Sequence, residues 1–254
     1  MTATARRGTP PRARLPLTLL AAVAAVGLLA AAFSFPAAWE ALLRPLFPGE
    51  ASVLYPTEGL PSLAARHLLM VGVSSLITVA IGVPAGILVT RPAGRDLLPL
   101  ASAAASLAQT FPPVAVLALA YPALGFGVTP TIVALVLYGV LPVLAGTVAG
   151  LRAVDPAAVD AARGMGMTPW QVLRLVELPL AVRPLLAGVR TSVVTNVGTA
   201  AIGATIGAGG LGLPIVAGLS SQNLAWVMEG ALATALIALT LDGLLAALER
   251  ALTP

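Results

Sequence analysis

The sequence predicts an all-α membrane protein, a bundle of about six transmembrane helices. Three observations favour this fold class. Of the 254 residues, 58% are hydrophobic and only 9% are charged, whereas a soluble domain carries about 25% charged residues. Apolar stretches of spanning length recur along the chain. The basic residues, all of them arginine, lie mostly near the ends of these stretches, where a membrane helix meets water.

Six stretches have the length of a span, because about 20 residues are needed to cross about 30 Å of hydrocarbon. They must be helical, since lipid offers no partner to backbone polar groups. The first is too long for the core of a typical signal peptide and no cleavage site follows closely, which predicts a retained helix. Prolines predict kinks or breaks at Pro84, Pro112, Pro113 and Pro142. The predicted spans are residues 15–35, 67–90, 97–121, 128–150, 187–208 and 225–247.

The distribution of arginine predicts the orientation. Twelve arginines fall on the side that holds both termini and a loop over residues 151–186, and only Arg44 and Arg66 fall on the other. The side with the excess is cytoplasmic by the positive-inside rule. The sequence therefore predicts a cytoplasmic tail over 1–14 and an external segment over 36–66 that lies near the outer interface. A membrane core follows over 67–250.

Composition excludes several kinds of site. There is no cysteine and a single histidine, His67, which excludes thiolate and histidine-based metal centres. The arginines form no stripe interleaved with aromatics, so the basic charge does not indicate nucleic-acid binding. Residues 207–212, GAGGLG, match a dinucleotide fingerprint only formally, because they follow a membrane span rather than a strand. They predict a flexible external turn, and the chain is expected to bind no cofactor or metal.

The 151–186 loop interrupts the apolar chain with a run of charge. Asp155-Pro156 and Thr168-Pro169 each predict a helix start, because the side-chain oxygen caps free amides and proline suits the first helical position. Gly164 and Gly166 separate the two helices and give a helix–turn–helix elbow. Its apolar residues predict docking against the membrane helices or another protein; the alternative is an ordinary connector. They are Met165, Met167, Trp170, Val172, Leu173, Leu175 and Val176.

The elbow also carries a recognisable motif. Asp160-Ala161-Ala162, Gly166, Val176 and Leu178-Pro179 resemble the pattern E-A-A-x3-G-x9-I-x-L-P of membrane subunits of bacterial ABC importers. The spacing matches throughout, with Asp for Glu and Val for Ile. The resemblance implies a type I importer permease (MetI-like) fold, in which this elbow inserts into a cleft of a separate ATPase subunit. The implied coupling residues are Asp160, Ala161, Ala162, Gly164, Gly166, Thr168, Pro169, Leu178 and Pro179.

Two further stretches, AGVRTSVV over 187–194 and IGAGGLG over 206–212, make the chain similar to the osmoprotectant branch of that family. That branch imports glycine betaine, carnitine and choline; permeases for other small solutes such as methionine share much of the pattern. The resemblance implies a bacterial inner-membrane protein. Its implied partners are ATPase subunits that hold ATP and magnesium, a second permease subunit, membrane lipid and an extracytoplasmic substrate-binding protein.

Polar residues within the spans are candidates for a substrate pathway. Gln109 and Thr110 precede a proline pair, and Thr195, Asn196 and Thr199 form a cluster in the fifth span. They predict either a pathway lining or hydrogen bonding between helices. Aromatic residues make up only 4% of the chain and are scattered. Since quaternary ammonium groups are held by aromatic cages, high-affinity recognition is expected in the separate binding protein.

The remaining polar residues support rival functions from other classes. Glu229 and Asp242 are the only acids within a span, and they would be the coupling groups of an ion-driven secondary transporter. Their places near the ends of the sixth span favour an interfacial role instead. His67, expected at the outer interface, would serve a polytopic membrane hydrolase, but no G-x-S-x-G motif accompanies it. The chain has no Walker A motif, so it is not expected to hydrolyse ATP.

Overall fold

The computed structural model describes residues 15–252, with side chains from residue 24 onward except residue 108. The predicted tail over 1–14 lies outside the described residues. The all-helical prediction is confirmed, since the described range contains α-helices and no strand. The helices are α1 Leu15–Ser34, α2 Pro36–Leu43, α3 Leu60–Thr90, α4 Leu98–Thr110, α5 Pro113–Leu124, α6 Val128–Arg152, α7 Pro156–Gly164, α8 Pro169–Val172, α9 Leu178–Ala200, α10 Gly212–Ser221 and α11 Leu224–Leu252.

Within the described range, three helices are long and apolar enough to cross a membrane alone, namely α3, α6 and α11. A fourth candidate span is bent and consists of two helical segments, Ala24–Ser34 and Pro36–Leu43. The chain turns by 75° between them, where α1 meets α2. The fifth predicted span corresponds to α9 and a short 3-10 helix, Ala201–Ile206. α9 begins at residue 178, earlier than the predicted start at 187, because it continues out of the elbow.

The predicted third span over 97–121 is broken in two, at the prolines where a kink or break was predicted. α4 ends at Thr110 and α5 begins at Pro113, with Phe111 in an extended conformation between them. A residue that precedes proline is pushed out of the helical region by the proline ring, which explains the break. At the break, the hydroxyl of Tyr138 on α6 donates a hydrogen bond to the carbonyl of Phe111. The carbonyl that the break frees from the helix therefore has a partner, as backbone groups in a membrane require.

Three helices form the centre of the bundle, with α6 packed between α3 and α9. Glycines bring α6 and α9 into backbone contact. A Cβ atom built on Gly146 would lie 2.7 Å from the carbonyl oxygen of Pro184 and 2.9 Å from the Cα of Gly188. Small residues at a crossing allow this approach, and the packing of the helices stabilises it in lipid. α11 packs along α9 and α10 on one side of this centre.

The end of the bundle remote from the elbow is covered by the segment between α1 and α3. Trp39 on α2 is only 5% exposed and donates its indole N–H to the carbonyl of Ala32 over 2.8 Å. The amide of Asn223 donates to the carbonyl of Ser52 over 2.9 Å and holds the segment against the start of α11. The segment predicted to be external is therefore a folded cap, and Trp39 is buried inside the protein.

The glycine-rich stretch over 207–212 is packed, and the prediction of a flexible turn there was wrong. Residues 208–212 are buried. Gly210, with φ of +73°, lies so close to α3 that a Cβ atom would be 3.1 Å from the Met70 side chain and 3.2 Å from Nδ1 of His67. Glycine is needed because this backbone region disfavours other side chains. The stretch joins the 3-10 helix to α10, so it does not follow a strand as a dinucleotide fingerprint does.

Candidate functional site

The first helix of the elbow, α7, begins at a side-chain cap. Oδ1 of Asp155 accepts a hydrogen bond from the backbone N–H of Ala157 over 2.9 Å, and Pro156 occupies the first helical position. Both features were predicted from the residue pair. Ala162 on this helix is only 1% exposed, whereas Asp160 and Ala161 are exposed. The motif therefore has one residue that anchors the helix and two that face outward.

Gly166 makes the turn of the elbow. Its φ is +85°, and its N–H donates to the carbonyl of Arg163 over 2.9 Å. The N–H of Met167 donates to the carbonyl of Ala162 over 3.2 Å. This pair of bonds is the Schellman arrangement that ends helices at a left-handed glycine. Gly164 is the last residue of α7, so the predicted break depends on Gly166 alone.

The second helix starts with a reciprocal cap. Oγ1 of Thr168 accepts from the N–H of Gln171 over 3.3 Å, and the Gln171 side chain accepts from the N–H of Thr168 over 2.8 Å. Pro169 opens α8, which passes through a π-helical turn, Leu173–Glu177, directly into α9. Leu178 and Pro179 thus form the first turn of α9. The elbow is continuous with a membrane helix, so a displacement of α8 would be passed on to α9.

The apolar residues of the elbow divide between two sides. Val172 and Leu173 are 3% and 6% exposed, and Leu173 packs with Leu151, Val154 and Ala181 beneath the elbow. On the other side, three large side chains project into solvent with exposures of 60–71%. They are Met165, Trp170 and Leu175. The inner side of the elbow therefore packs against the membrane helices, as one of the two predicted docking modes requires. The outer side presents exposed apolar side chains of the kind that mark a contact with another protein.

An ion pair that the sequence did not reveal fastens the elbow to α3. Nη1 of Arg91, just after α3, lies 2.7 Å from Oε2 of Glu177 in the π-helical turn. The Glu177 side chain is 11% exposed, so the pair is largely removed from water. The two residues lie 86 positions apart, and no local pattern signals their contact. The bond joins the C-terminal end of α3 to the segment that links elbow and α9.

We expect removal of this ion pair to destabilise the elbow. Arg91→Met leaves the Glu177 carboxylate without its partner, at a cost of about 2 kcal/mol, because a largely buried charge loses its charge-assisted bond. The double variant Arg91→Met/Glu177→Gln should cost less than the sum of the single variants. Thermal unfolding of the purified protein measures both. Arg95→Met is the control, because its pair with Asp96 is highly exposed and contributes little. Strictly additive effects would show that the two side chains are not coupled.

The predicted pathway residues do not form one cluster. Gln109 donates its amide to the carbonyl of Tyr138 over 2.9 Å, at the break between α4 and α5, and Thr110 beside it is exposed. On α9, Thr195 is exposed and its carbonyl accepts the hydroxyl of Thr199 over 3.0 Å. Asn196, by contrast, is fully buried. A pathway role stays a prediction for all five, and within this subunit only Asn196 is turned away from the surface.

Asn196 instead belongs to a buried polar seam between α3 and α9. Its amide lies 3.5 Å from the hydroxyl of Ser74, and Thr78 and Ser192 are also fully buried. Three buried side-chain atoms have no hydrogen-bond partner in the described part of the chain. They are the hydroxyls of Thr78 and Ser192 and the side-chain amide oxygen of Asn196. Sequence reasoning missed this seam. The available signal was the i, i+4 spacing of Ser74 with Thr78 and of Ser192 with Asn196, which places each pair on one helix face.

The remaining ionisable residues are more buried or more firmly paired than predicted. His67 is fully buried within the protein, with Nε2 2.9 Å from the carbonyl oxygen of Val197. Glu229, near the start of α11, is 4% exposed and is therefore covered by protein. Asp242 lies ten residues before the end of α11 and accepts two bonds of 2.6 Å from the guanidinium of Arg190. The tertiary packing of α9, α11 and the cap produces these environments.

Comparison with known proteins agrees with this architecture. Residues 82–254 match the family described as binding-protein-dependent transport system inner membrane component. The chain is 41% identical to the osmoprotectant import permease protein OsmY of Salmonella typhimurium, over 85% of this chain and 89% of that protein. It is 41% identical to the glycine betaine/carnitine/choline transport system permease protein OpuCD of Bacillus subtilis, over 74% of this chain and 82% of that protein.

The fold is also that of a solved transporter. The MetNI methionine ABC transporter, in an inward-facing conformation, matches with a TM-score of 0.68 and 26% identity, over 77% of this chain and 96% of the matched chain. The family match spans α6, the elbow, α9 and α11, which are the elements that carry the motif and its packing. On its sequence, its fold and the motif in its elbow, the chain belongs to the family of binding-protein-dependent transport system inner membrane components.

Proposed function

We propose that this chain is the membrane-spanning subunit of an ATP-driven importer for a small osmoprotectant such as glycine betaine, carnitine or choline. The observation that carries the proposal is the elbow, which has an anchored inner side and an exposed apolar outer side. A monomeric surface rarely leaves large apolar side chains together in water. The relatives named for osmoprotectant import and for glycine betaine/carnitine/choline transport support the class of solute.

The proposed partners follow from the two ends of the molecule. Two permease subunits, identical or related, enclose the pathway, and each elbow binds an ATPase subunit that holds ATP and magnesium. A substrate-binding protein delivers solute to the external cap. The elbow and both termini lie in the cytoplasm and the chain crosses the bacterial inner membrane. Twelve arginines on that side support this orientation.

The mechanism we propose uses the continuity of α8 with α9. Closure of the ATPase subunits around ATP displaces the elbow, and the π-helical turn passes that displacement into α9. α6 follows, because its backbone touches α9 at Gly146 and Gly188. The cavity between the two permease subunits then opens outward. The chain's own part is mechanical: it receives a displacement at residues 156–177 and changes the packing of its membrane helices.

The rival functions receive less support. An ion-driven carrier needs a carboxylate that exchanges its cation. Asp242 is held by two short bonds to Arg190, which leaves Glu229, bonded to the N–H of Tyr55, as the one carboxylate named for this rival that has no cationic partner among the described residues. A permease for another small solute stays the principal alternative, because the solved structure that the chain matches is that of a methionine transporter. The two solute classes differ in chemistry: one carries a methylated ammonium group and the other a primary amine.

A competition assay separates these solutes. Cells that lack other osmoprotectant uptake and express the whole system would take up radiolabelled choline, with unlabelled glycine betaine, carnitine or methionine as competitors. We expect the methylated ammonium compounds to compete and methionine to have no effect. Collapse of the proton gradient with ATP maintained should leave uptake intact. Competition by methionine alone would overturn the solute class, and uptake without any ATPase would overturn the importer.

A further inference from the structure

The external cap and the outer ends of α1, α3 and α11 surround a cavity of about 320 Å³. It lies beside the first residues of α3, whose 31 residues separate it from the elbow by about 45 Å. Ligand sites for small molecules begin at about this size. The cavity belongs to no site described above. Its lining includes Phe33, Trp39, Tyr55, Glu58 and Glu229.

The aromatic residues that look scattered in the sequence meet at this cavity. The rings of Phe33 and Trp39 have centroids 6.0 Å apart, and Tyr55 packs edge-on against Trp226 with centroids 5.8 Å apart. Four of the chain's eleven aromatic side chains are therefore gathered at one place. Three of these four line the cavity itself. Aromatic walls attract cations through the negative face of the ring.

The charge of the lining is also suited to a cation. Two carboxylates line the cavity, and no basic side chain does. Glu58 forms an ion pair with Arg66 over 3.1 Å. Glu229 is 4% exposed, and its Oε2 accepts a bond of 2.7 Å from the N–H of Tyr55. Among the described residues no basic side chain forms an ion pair with Glu229. An acid within a membrane helix that lacks such a partner is a functional candidate.

We infer that this cavity binds a quaternary ammonium group at the external face of the permease. The choice of cation rests on the proposed function, and the cavity's own chemistry agrees with it. A metal ion would need more oxygen ligands, and no cluster of metal-binding residues is found in the described range. Aromatic walls suit a quaternary ammonium group, because its methylated nitrogen has no N–H to donate to hydrogen-bond acceptors. Since no arginine lines the cavity, a cation such as choline should bind more tightly than a zwitterion such as glycine betaine.

Binding of radiolabelled choline to the permease–ATPase complex, without the binding protein, tests this inference. The complex is placed in nanodiscs of phosphatidylglycerol and phosphatidylethanolamine, which carry no choline headgroup. We expect saturable binding that tetramethylammonium displaces and the uncharged isostere 3,3-dimethylbutanol does not. Glu229→Gln should weaken binding about tenfold or more, and Tyr55→Leu about fivefold, the effect of about 1 kcal/mol of cation–π attraction. Tyr55→Phe should bind nearly as the wild type.

Glu40→Gln is the matched control, because this external carboxylate pairs with Arg44 and does not line the cavity. Nanodiscs that contain phosphatidylcholine distinguish the two sources of the ligand: loss of choline binding there identifies the lipid headgroup as the occupant, and retention identifies the free solute. Absence of saturable binding in both lipids, or equal binding by Glu229→Gln, would overturn the inference. If 3,3-dimethylbutanol displaced choline as well as tetramethylammonium does, the cavity would bind apolar groups without selecting a cation, which would also overturn the inference.

These outcomes are separable from the proposed function. If the whole system imports choline or glycine betaine but the cavity binds neither choline nor tetramethylammonium, the site is wrong and the importer stands. If the cavity binds tetramethylammonium and the whole system imports no methylated ammonium compound, the solute class of the importer is wrong. The Tyr55 pair of variants keeps the test decisive if Glu229→Gln does not yield a folded complex.

Discussion

Gly166→Pro is expected to abolish ATP-driven uptake while the chain still inserts in the membrane. Proline fixes φ near −65°, and Gly166 has φ of +85°. The substitution also removes the N–H that donates to Arg163. The turn between α7 and α8 cannot keep its shape, so the exposed residues of the two helices no longer form one surface. Uptake of radiolabelled choline by cells with the whole system measures the loss, and immunoblots of membranes measure the amount of inserted chain.

Three further variants separate the geometry of the turn from the mere change of residue. Gly166→Ala should reduce coupling partly, because the left-handed conformation costs an L-residue about 1–2 kcal/mol. Gly166→Asn should retain most uptake, since asparagine tolerates that conformation. Gly164→Ala should be silent, because Gly164 lies within α7 and a Cβ atom there meets open space. Wild-type uptake by Gly166→Pro would refute a coupling role for the elbow.

The elbow could be predicted closely from sequence because its signals are local. Asp155-Pro156, Thr168-Pro169 and Gly166 each act within about four residues, through a cap or a left-handed turn, and the structure contains all three features. The spans could be predicted for the same reason, since hydropathy is a property of a window of residues. For the third span, Pro112 and Pro113 predicted the position of the break, whereas the continuous apolar stretch did not show that two separate helices form.

The cation cavity and the polar seam could not be predicted, because both depend on contacts between distant residues. Tyr55 and Glu229 are 174 positions apart, and Ser74 and Asn196 are 122 apart. Composition describes the aromatic residues as sparse, and only the bend at Pro36 brings Trp39 beside Phe33. Likewise, Glu229 appeared interfacial because helix ends usually are, whereas the folded cap covers this one. Burial of a polar residue in a membrane bundle is thus a tertiary property that hydropathy does not report.

The close crossing of α6 and α9 makes Gly188→Ala a strongly destabilising change, although it adds only a methyl group. Its methyl group would overlap the carbonyl oxygen of Pro142 and lie 3.0 Å from the Cα of Gly146. These are backbone atoms, so no rotamer change relieves the contact and the helices must separate. Overpacking of this kind costs about 3 kcal/mol, and the lost contact is the one that would carry motion from the elbow into α6.

The measurement is thermal unfolding of the purified complex in detergent, followed by uptake. Gly188→Ala should lower the midpoint by several degrees, as expected for a loss of about 3 kcal/mol, and should reduce the amount of folded protein recovered. Gly198→Ala is the matched control: it makes the same change on the same helix, where a Cβ atom has nothing within 4 Å. It should leave stability unchanged or slightly raised, because alanine favours helix more than glycine does. Equal midpoints for the two variants would mean that α6 and α9 are not in backbone contact, and the proposed route from elbow to pathway would fail with that contact.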